Sequence, residues 1–242
     1  MSAMSTPAEV SLVLECGGGG AARHVLDVYR GLTARGWQVK IIASLVRADP
    51  LFLSELQSIP AGDLVEIEMH RRPHWSDLRA LRQLERETAG SSPRIVHAHS
   101  TKAGLLVSRL RSPALTKVFT PHAYRGLDKS LPAWQAWGIR LLETVISRPY
   151  DRVIAVSEEE MEYARQLGIA AQSVVYIPNG VDFKALQLRV SGSRERRADW
   201  TPAIGFVGRL VHQKNPMAFV RAFKALLDVN VEARAIVIGT VR

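Results

Sequence analysis

Two periodicities alternate along the chain. Short runs rich in Val, Ile and Leu are each followed by a longer stretch in which apolar positions return every three or four residues. Val10 to Glu15 reads as a first strand buried on both faces. From Ala21 to about Arg35, Val25, Val28, Tyr29 and Leu32 form one helical side, with Arg23, Asp27, Arg30 and Arg35 elsewhere and Gly36 as the stop. Val39 to Leu45 predicts a second strand, and Asp49-Pro50 opens a short helix through Leu56. Asp63 to Met69 alternates apolar with acidic positions, which predicts a third strand nearer the sheet edge. A helix capped by Ser76 and Asp77 runs to about Ala89. The strand Arg94–His99 follows, then a helix from Lys102 to Leu110 and the strand Leu115–Thr120. After a polar loop from Pro121, a helix spans Ala133–Arg148 and a strand Asp151–Val156. Ser157 and Glu160 then form a capping box for a helix to Leu167, and Val174–Ile177 is a seventh strand.

Strict alternation of strand and helix predicts an α/β fold: a Rossmann-like parallel sheet with right-handed crossovers and helices on both faces. Ligands in such sheets bind beyond the carboxyl ends of the strands. That rule places Gly17–Gly20, His99–Lys102 and His122–Arg125 on one rim. Residues 186–200 are arginine-rich and poor in apolar side chains, so they read as an exposed linker. The alternation then restarts with a strand at Ala203–Val207, a loop at Gly208–Asn215, a helix at Pro216–Val229 and a strand at Ala233–Ile238. The expected domains are therefore 1–185, with 186–200 as linker and 201–242 as the incomplete start of a second Rossmann-like domain. Two strands and a helix are too few for a core of their own, so the chain reads as a fragment of a longer protein. The stripe Trp134, Trp137, Leu141 and Val145 is expected to face the core, with contact at a membrane interface as the alternative.

The chemistry begins at Gly17, Gly18, Gly19 and Gly20. Glycines between a strand and a helix let the backbone approach a ligand, and the helix start offers unpaired N–H groups to a phosphate, pyrophosphate or polyol. Gly17, Gly19 and Ala22 match G-x-G-x-x-A, yet the second strand ends in Ala43-Ser44-Leu45 without an acid for a ribose hydroxyl. Arg47 could suit a 2′-phosphate, which keeps an NADP-binding oxidoreductase as an alternative, although no Tyr is followed four residues later by Lys. His97 and His99 point to one face of their strand, and with His122 they make three imidazoles. No carboxylate or cysteine stands beside them at ligand spacing, so no metal is expected. His122 could donate to a sugar hydroxyl or phosphate. Cys16 reads as a small buried residue. Arg209 and Lys214 flank one loop before a helix and can neutralise a diphosphate.

Charge narrows the partners. Lys and Arg number 32 against 23 Asp and Glu, a formal +9, which favours nucleotides, lipid phosphates or an anionic membrane face. No nucleic-acid motif accompanies the charge, so nucleic acid is not an expected partner. No apolar run approaches the ~18 residues of a membrane span, the first ten residues lack a signal-peptide pattern, and Cys16 stands alone, which together predict a cytoplasmic chain.

Six segments, taken in order, resemble one family: CGGGGAARHVLDVYRGLTARGWQV, IVHAHSTKAGLL, FTPHAYRG, DRVIAVSEEE, VYIPNGVD and GFVGRLVHQKNP. The chain is similar to retaining glycosyltransferases of family 4, which have the GT-B fold. The resemblance implies transfer of a sugar from a nucleotide-diphosphate donor to an acceptor hydroxyl with retained configuration and without a metal. His122 matches the family histidine on the donor sugar, and Arg209 and Lys214 match the pair that stabilises the departing diphosphate. His99, Ser100 and Lys102 would line the acceptor side, joined by Tyr124 and Arg125, and the glycine loop would line the cleft. The HSTKAG and TPHAY forms resemble polysaccharide and cell-envelope enzymes. Those imply a glycan or lipid-linked acceptor and peripheral association with an anionic membrane at the inner face of the plasma membrane. The family's E-x7-E element lies beyond Gly239, so a non-catalytic binding remnant is the other reading that the resemblance leaves.

Overall fold

The computed structural model describes residues 9–90, 94–183, 186–187, 201–229 and 231–240. They form two compact units, Met1–Gly180 and Val181–Arg242. The linker expected at 186–200 lies almost wholly outside the described residues.

The first unit is built on strands β1 (Glu9–Leu14), β2 (Gln38–Ala43), β3 (Leu64–Glu66), β4 (Arg94–His99), β5 (Leu115–Thr120), β6 (Arg152–Ala155) and β7 (Val174–Tyr176). All pairings are parallel, in the order β3-β2-β1-β4-β5-β6-β7. Helices α1 (Gly19–Thr33) and α2 (Pro50–Leu56) pack on one face. Their core joins Val25, Leu26, Phe52 and Leu56 to Leu12, Leu14 and Ile41. Helices α3 (Asp77–Glu87), α4 (Thr101–Ser108), α5 (Ala133–Ser147) and α6 (Glu158–Gln166) cover the other face, where Leu84, Leu106, Ile146 and Tyr163 meet Val13, Val96, Phe119 and Val153. Successive side chains of a strand point to opposite faces, so Leu12 and Leu14 serve one core and Val13 the other.

This order makes β1 and β4 neighbours whose chains leave in opposite directions, β1 through α1 towards β2 and β4 through α4 towards β5. The gap beyond their carboxyl ends is the topological switch point, where an open α/β sheet has room for a ligand.

Two expectations change. The third strand is only three residues long, because past Glu66 the ladder thins to Ile67 N–H donating to the Ala43 carbonyl at 3.1 Å. Ile67 and Met69 still enter the core. The stripe on α5 faces solvent: Trp134 is 74% and Trp137 69% exposed, with Leu141 and Val145 also exposed. Helix α5 instead buries Glu143, Ile146 and Ser147, for reasons given below.

The second unit contains β8 (Ala203–Val207) and β9 (Arg234–Ile238), paired in parallel from Ala203↔Arg234 to Val207↔Ile238, and α7 (Pro216–Asp228). Asn215, left-handed at φ 47°, caps α7 by accepting from Ala218 N–H at 3.2 Å. Ile204, Val207, Ile236, Val237 and Ile238 are exposed on these two strands.

Candidate functional site

The glycine run occupies the switch point directly after β1. A Cβ on Gly17 would lie 2.7 Å from the Phe52 ring, and one on Gly18 2.9 Å from Asp49 Oδ2. Gly19 takes φ +67°, which favours glycine, while a Cβ on Gly20 meets nothing within 4 Å. Asp49 Oδ2 accepts from Gly19 N–H at 3.3 Å and Oδ1 from Phe52 N–H at 2.8 Å, so one carboxylate caps α2 and touches the start of α1. The glycines are thus as much a packing requirement as a ligand cradle, and the first free N–H of α1 is already engaged by the protein.

Across the switch point β4 pairs Leu14 with His99 and delivers two histidines. His97 shares a 2.8 Å hydrogen bond with Thr120 Oγ1, and His99 Nδ1 shares one of 3.0 Å with His122 Nε2. His24, from the second turn of α1, completes the group, with its ring centroid 5.5 Å from that of His99 and 4.9 Å from that of His122. Burial is the largest cause of a lowered pKa in all four. His97 falls to about 3 and His122 to about 4, with the neighbouring imidazoles adding to the shift. His99 is pushed well below the ordinary value, and His24 is lowered against the raising effects of Asn179 and Asp27. At neutral pH this is a cluster of uncharged imidazoles, able to donate and accept hydrogen bonds. His99 Nε2 is buried without a hydrogen-bond partner among the described residues.

The backbone around the cluster is held in costly conformations. Ser100 has φ 89°, His122 φ 55° and Ala123 φ 89°, a left-handed region that side chains other than glycine rarely adopt. Ser100 Oγ caps α4 by accepting from Ala103 N–H at 3.5 Å. Two carboxylates fix the loop after β5. Glu160 on α6 accepts from Ala123 N–H at 2.5 Å, and Glu143 on α5 accepts from Arg125 N–H at 2.7 Å and from Tyr163 Oη at 2.8 Å. Burial raises the Glu143 pKa, opposed by those hydrogen bonds. This tethering is why α5 turns Glu143 inward. The capping box at Ser157 is half present: Ser157 Oγ accepts from Glu160 N–H, but the carboxylate takes Val156 N–H and Ala123 N–H.

The anticipated residues thus fall into different places. Gly17–Gly20, His99, Ser100 and His122 stand at the carboxyl ends of β1, β4 and β5. Lys102 is buried, with Nζ 2.5 Å from Asp77 Oδ2. Tyr124 is packed in the core with its hydroxyl 3.2 Å from Ser147 Oγ, so its ring does not line the rim. Arg125 is exposed. In the second unit, Arg209 follows β8 and Lys214 ends the turn before α7, both exposed. A Cβ on Gly239 would fall 1.9 Å from the Gly208 carbonyl oxygen, so the Arg209 loop lies hard against the end of β9. An open depression lined by Thr201, Leu227, Val231, Glu232 and Ala233 lies at the opposite ends of those strands.

Sequence reasoning missed His24, Glu143 and Glu160 as parts of this arrangement. His24 follows Gly20 by one helical turn, a spacing that could have flagged it. Glu160 was legible only as a helix cap, and Glu143 gave no signal, since a carboxylate on an amphipathic helix reads as a solvated one. Two groups of side chains have metal-ligand geometry among the described residues, His24/His99/His122 and Glu68/His70/His74, each with ligand atoms within 4.8 Å of one another.

Residues 18–185 match the family model described as Glycosyltransferase Family 4. The chain is 27% identical over 169 residues to the UDP-Gal:alpha-D-GlcNAc-diphosphoundecaprenol alpha-1,3-galactosyltransferase of Escherichia coli. That match takes in 64% of this chain and 42% of the relative. Among solved structures, Anabaena Alr3699/HepE in complex with UDP and glucose superposes with a TM-score of 0.66 at 16% identity, over 96% of this chain and 61% of that one. Sucrose-phosphate synthase from Thermosynechococcus elongatus gives 0.67 at 18%, over 96% and 62%. The chain therefore spans under half the length of the curated relative and about three-fifths of these structures. At such identities the superpositions show the fold, the Rossmann-like architecture of GT-B glycosyltransferases. With a single family model covering most of its length, the chain belongs to Glycosyltransferase Family 4.

Proposed function

We propose that this chain serves the transfer of a sugar from a nucleotide-diphosphate donor to an acceptor hydroxyl, with retained anomeric configuration and without a bound metal. The observation that carries the reading is the cluster of His24, His99 and His122 at the switch point, with His122 and its neighbour Ala123 at positive φ in a loop that Glu143 and Glu160 hold by its N–H groups. Strain of about 1–3 kcal/mol per residue persists only where surrounding structure imposes it, and such positions gather at functional sites. Neutral imidazoles suit hydroxyl-rich ligands, because they can donate to and accept from a sugar without a net charge to desolvate. They cannot balance a diphosphate, and we assign that task to Arg209 and Lys214.

Residues 1–185 are read as the acceptor-side domain and 201–242 as the beginning of the donor-side one. His122 would contact the donor sugar, and His99, Ser100 and Arg125 would lie towards the acceptor. The Escherichia coli relative is named for a diphosphoundecaprenol-linked acceptor. We extend that class, a glycan or lipid-linked acceptor in cell-envelope synthesis, to this chain, together with peripheral association at an anionic membrane.

Calorimetric titration tests the reading. UDP- or GDP-sugars are expected to bind, to lose affinity on His122→Ala, and to be indifferent to chelators. Binding of NADPH in place of any nucleotide sugar would overturn it. In a turnover assay with donor and acceptor, on a version that completes the second domain, Lys214→Ala is expected to lower the rate about 10²–10³-fold, the scale for losing one group that stabilises developing charge. Unchanged turnover would remove Lys214 from this role.

A further inference from the structure

We propose that the segment joining β3 to α3, with the first turns of α3, is the surface by which the protein docks on an anionic lipid bilayer. This deepens the lipid-linked acceptor reading given above and rests on it. Trp75 and Leu78 are each 68% exposed. Arg71, Arg72, Arg79 and Arg82 are exposed around them, and the Arg79 guanidinium lies over the Trp75 ring, 5.3 Å from its centroid. Trp and Leu framed by arginines is the composition of a surface that seats its apolar side chains at the headgroup boundary while guanidinium groups meet lipid phosphates.

Nearby acidic groups do not cancel this charge. Asp77 holds the Lys102 ammonium and accepts from His74 N–H at 3.1 Å. Glu68 is 2.7 Å from His70 Nε2, and the charges of His74 and Arg79 also reach it. Asp77 and Glu68 are thus already engaged, and Glu85, exposed three residues after Arg82, is the remaining carboxylate on this side of α3 against four arginines. The segment is also built rather than loose. At one end Met69 is buried, and its N–H and carbonyl both bond Ser44 Oγ, at 3.1 and 3.0 Å. At the other Ser76, Ala80 and Leu84 are buried. Because the segment leaves the carboxyl end of β3, it stands on the same rim of the sheet as Gly17–Gly20 and His99, so a membrane met here lies at the acceptor side.

The exposed stripe of α5 is the competing surface. Arg140 is the single Lys or Arg within α5 and donates to the Gln166 carbonyl, so Trp134, Trp137, Leu141 and Val145 have one cation beside them where the β3–α3 segment has four.

Co-sedimentation of the full chain with phosphatidylcholine vesicles, with and without about 30% phosphatidylglycerol, tests the assignment. Binding is expected on the anionic vesicles only and should weaken with salt. Arg71→Gln/Arg72→Gln is expected to reduce partitioning about fivefold for each arginine removed. Trp75→Ser/Leu78→Ser should abolish it, with melting temperature unchanged because both side chains are exposed. Trp134→Ser/Trp137→Ser should bind as the parent does. Equal binding to neutral vesicles, retention by both docking variants, loss confined to the α5 variant, or Trp75-dependent self-association in lipid-free buffer would each overturn the proposal. Nucleotide-sugar binding without vesicle binding overturns docking alone. Vesicle binding without nucleotide-sugar binding overturns the transfer reading and leaves docking standing.

Discussion

His97 shows how far burial alone can set the behaviour of one side chain. In the unfolded chain its pKa is ordinary, about 6.5, whereas the folded protein holds it at about 3. Between these values the unfolded state binds a proton that the native state refuses, so stability rises with pH across that window and is lost on acidification. By pH 5 His97 alone should cost on the order of 2 kcal/mol relative to neutral pH. His122, His24 and His99 act in the same direction. Chemical denaturation from pH 7 to 5 is the measurement: a marked fall is expected, reduced in His97→Gln, which can keep the bond to Thr120 Oγ1. A flat profile in the parent chain would show that these imidazoles are not excluded from water as described. Gly126 offers a sharper local test. A Cβ there would sit 1.8 Å from Tyr163 Oη and 2.6 Å from Cζ, so Gly126→Ala must displace the loop that carries His122. About 1–3 kcal/mol of stability should be lost, with partial recovery on adding Tyr163→Phe.

The loop after β5 is the element that ties the two helices behind it to the rim. Glu143 meets two backbone N–H groups and a tyrosine hydroxyl, and its removal leaves donors unpaired at about 1–3 kcal/mol each. Glu143→Ala is therefore expected to lower the melting temperature and weaken nucleotide-sugar binding together. Glu143→Gln, which keeps one acceptor oxygen and adds an amide donor, should recover part of the stability. If stability falls and ligand affinity does not move, the loop is structural only. Elements of this kind mark where the sequence was readable and where it was not. Strands β1 and β2 were legible because their Val, Ile and Leu are buried on both faces and carry no competing period. The rim residues His99, Ser100 and His122 were legible from strand ends alone. The inward turn of α5 was not: its two tryptophans outweighed Glu143 in apolar pattern, and only the loop's unpaired N–H groups explain why the carboxylate wins the buried side. Nor did the glycines announce Asp49, a residue about thirty positions away whose carboxylate accepts from Gly19 N–H.

At the scale of the molecule, the two units differ in how well they cover their apolar surface. In the second unit β9 is exposed along its whole length and α7 buries no residue. Parallel strands with open faces and edges favour association with other chains. The purified chain is expected to associate as concentration rises, checked by light scattering or sedimentation velocity, and a monodisperse monomer at high concentration would contradict this. Among the described residues no helix is long and apolar enough to cross a membrane.

The place of β1 has a consequence for how the protein is made. It is synthesised well before β4 but lies beside it inside the sheet, and their partnership, beginning at Glu9↔Arg94, joins segments far apart in sequence. One edge of β1 therefore stays unpaired until β4 has left the ribosome. During that interval an apolar strand waits with an open ladder, the condition under which nascent chains depend on chaperones, and long-range parallel pairing of this kind makes refolding slow.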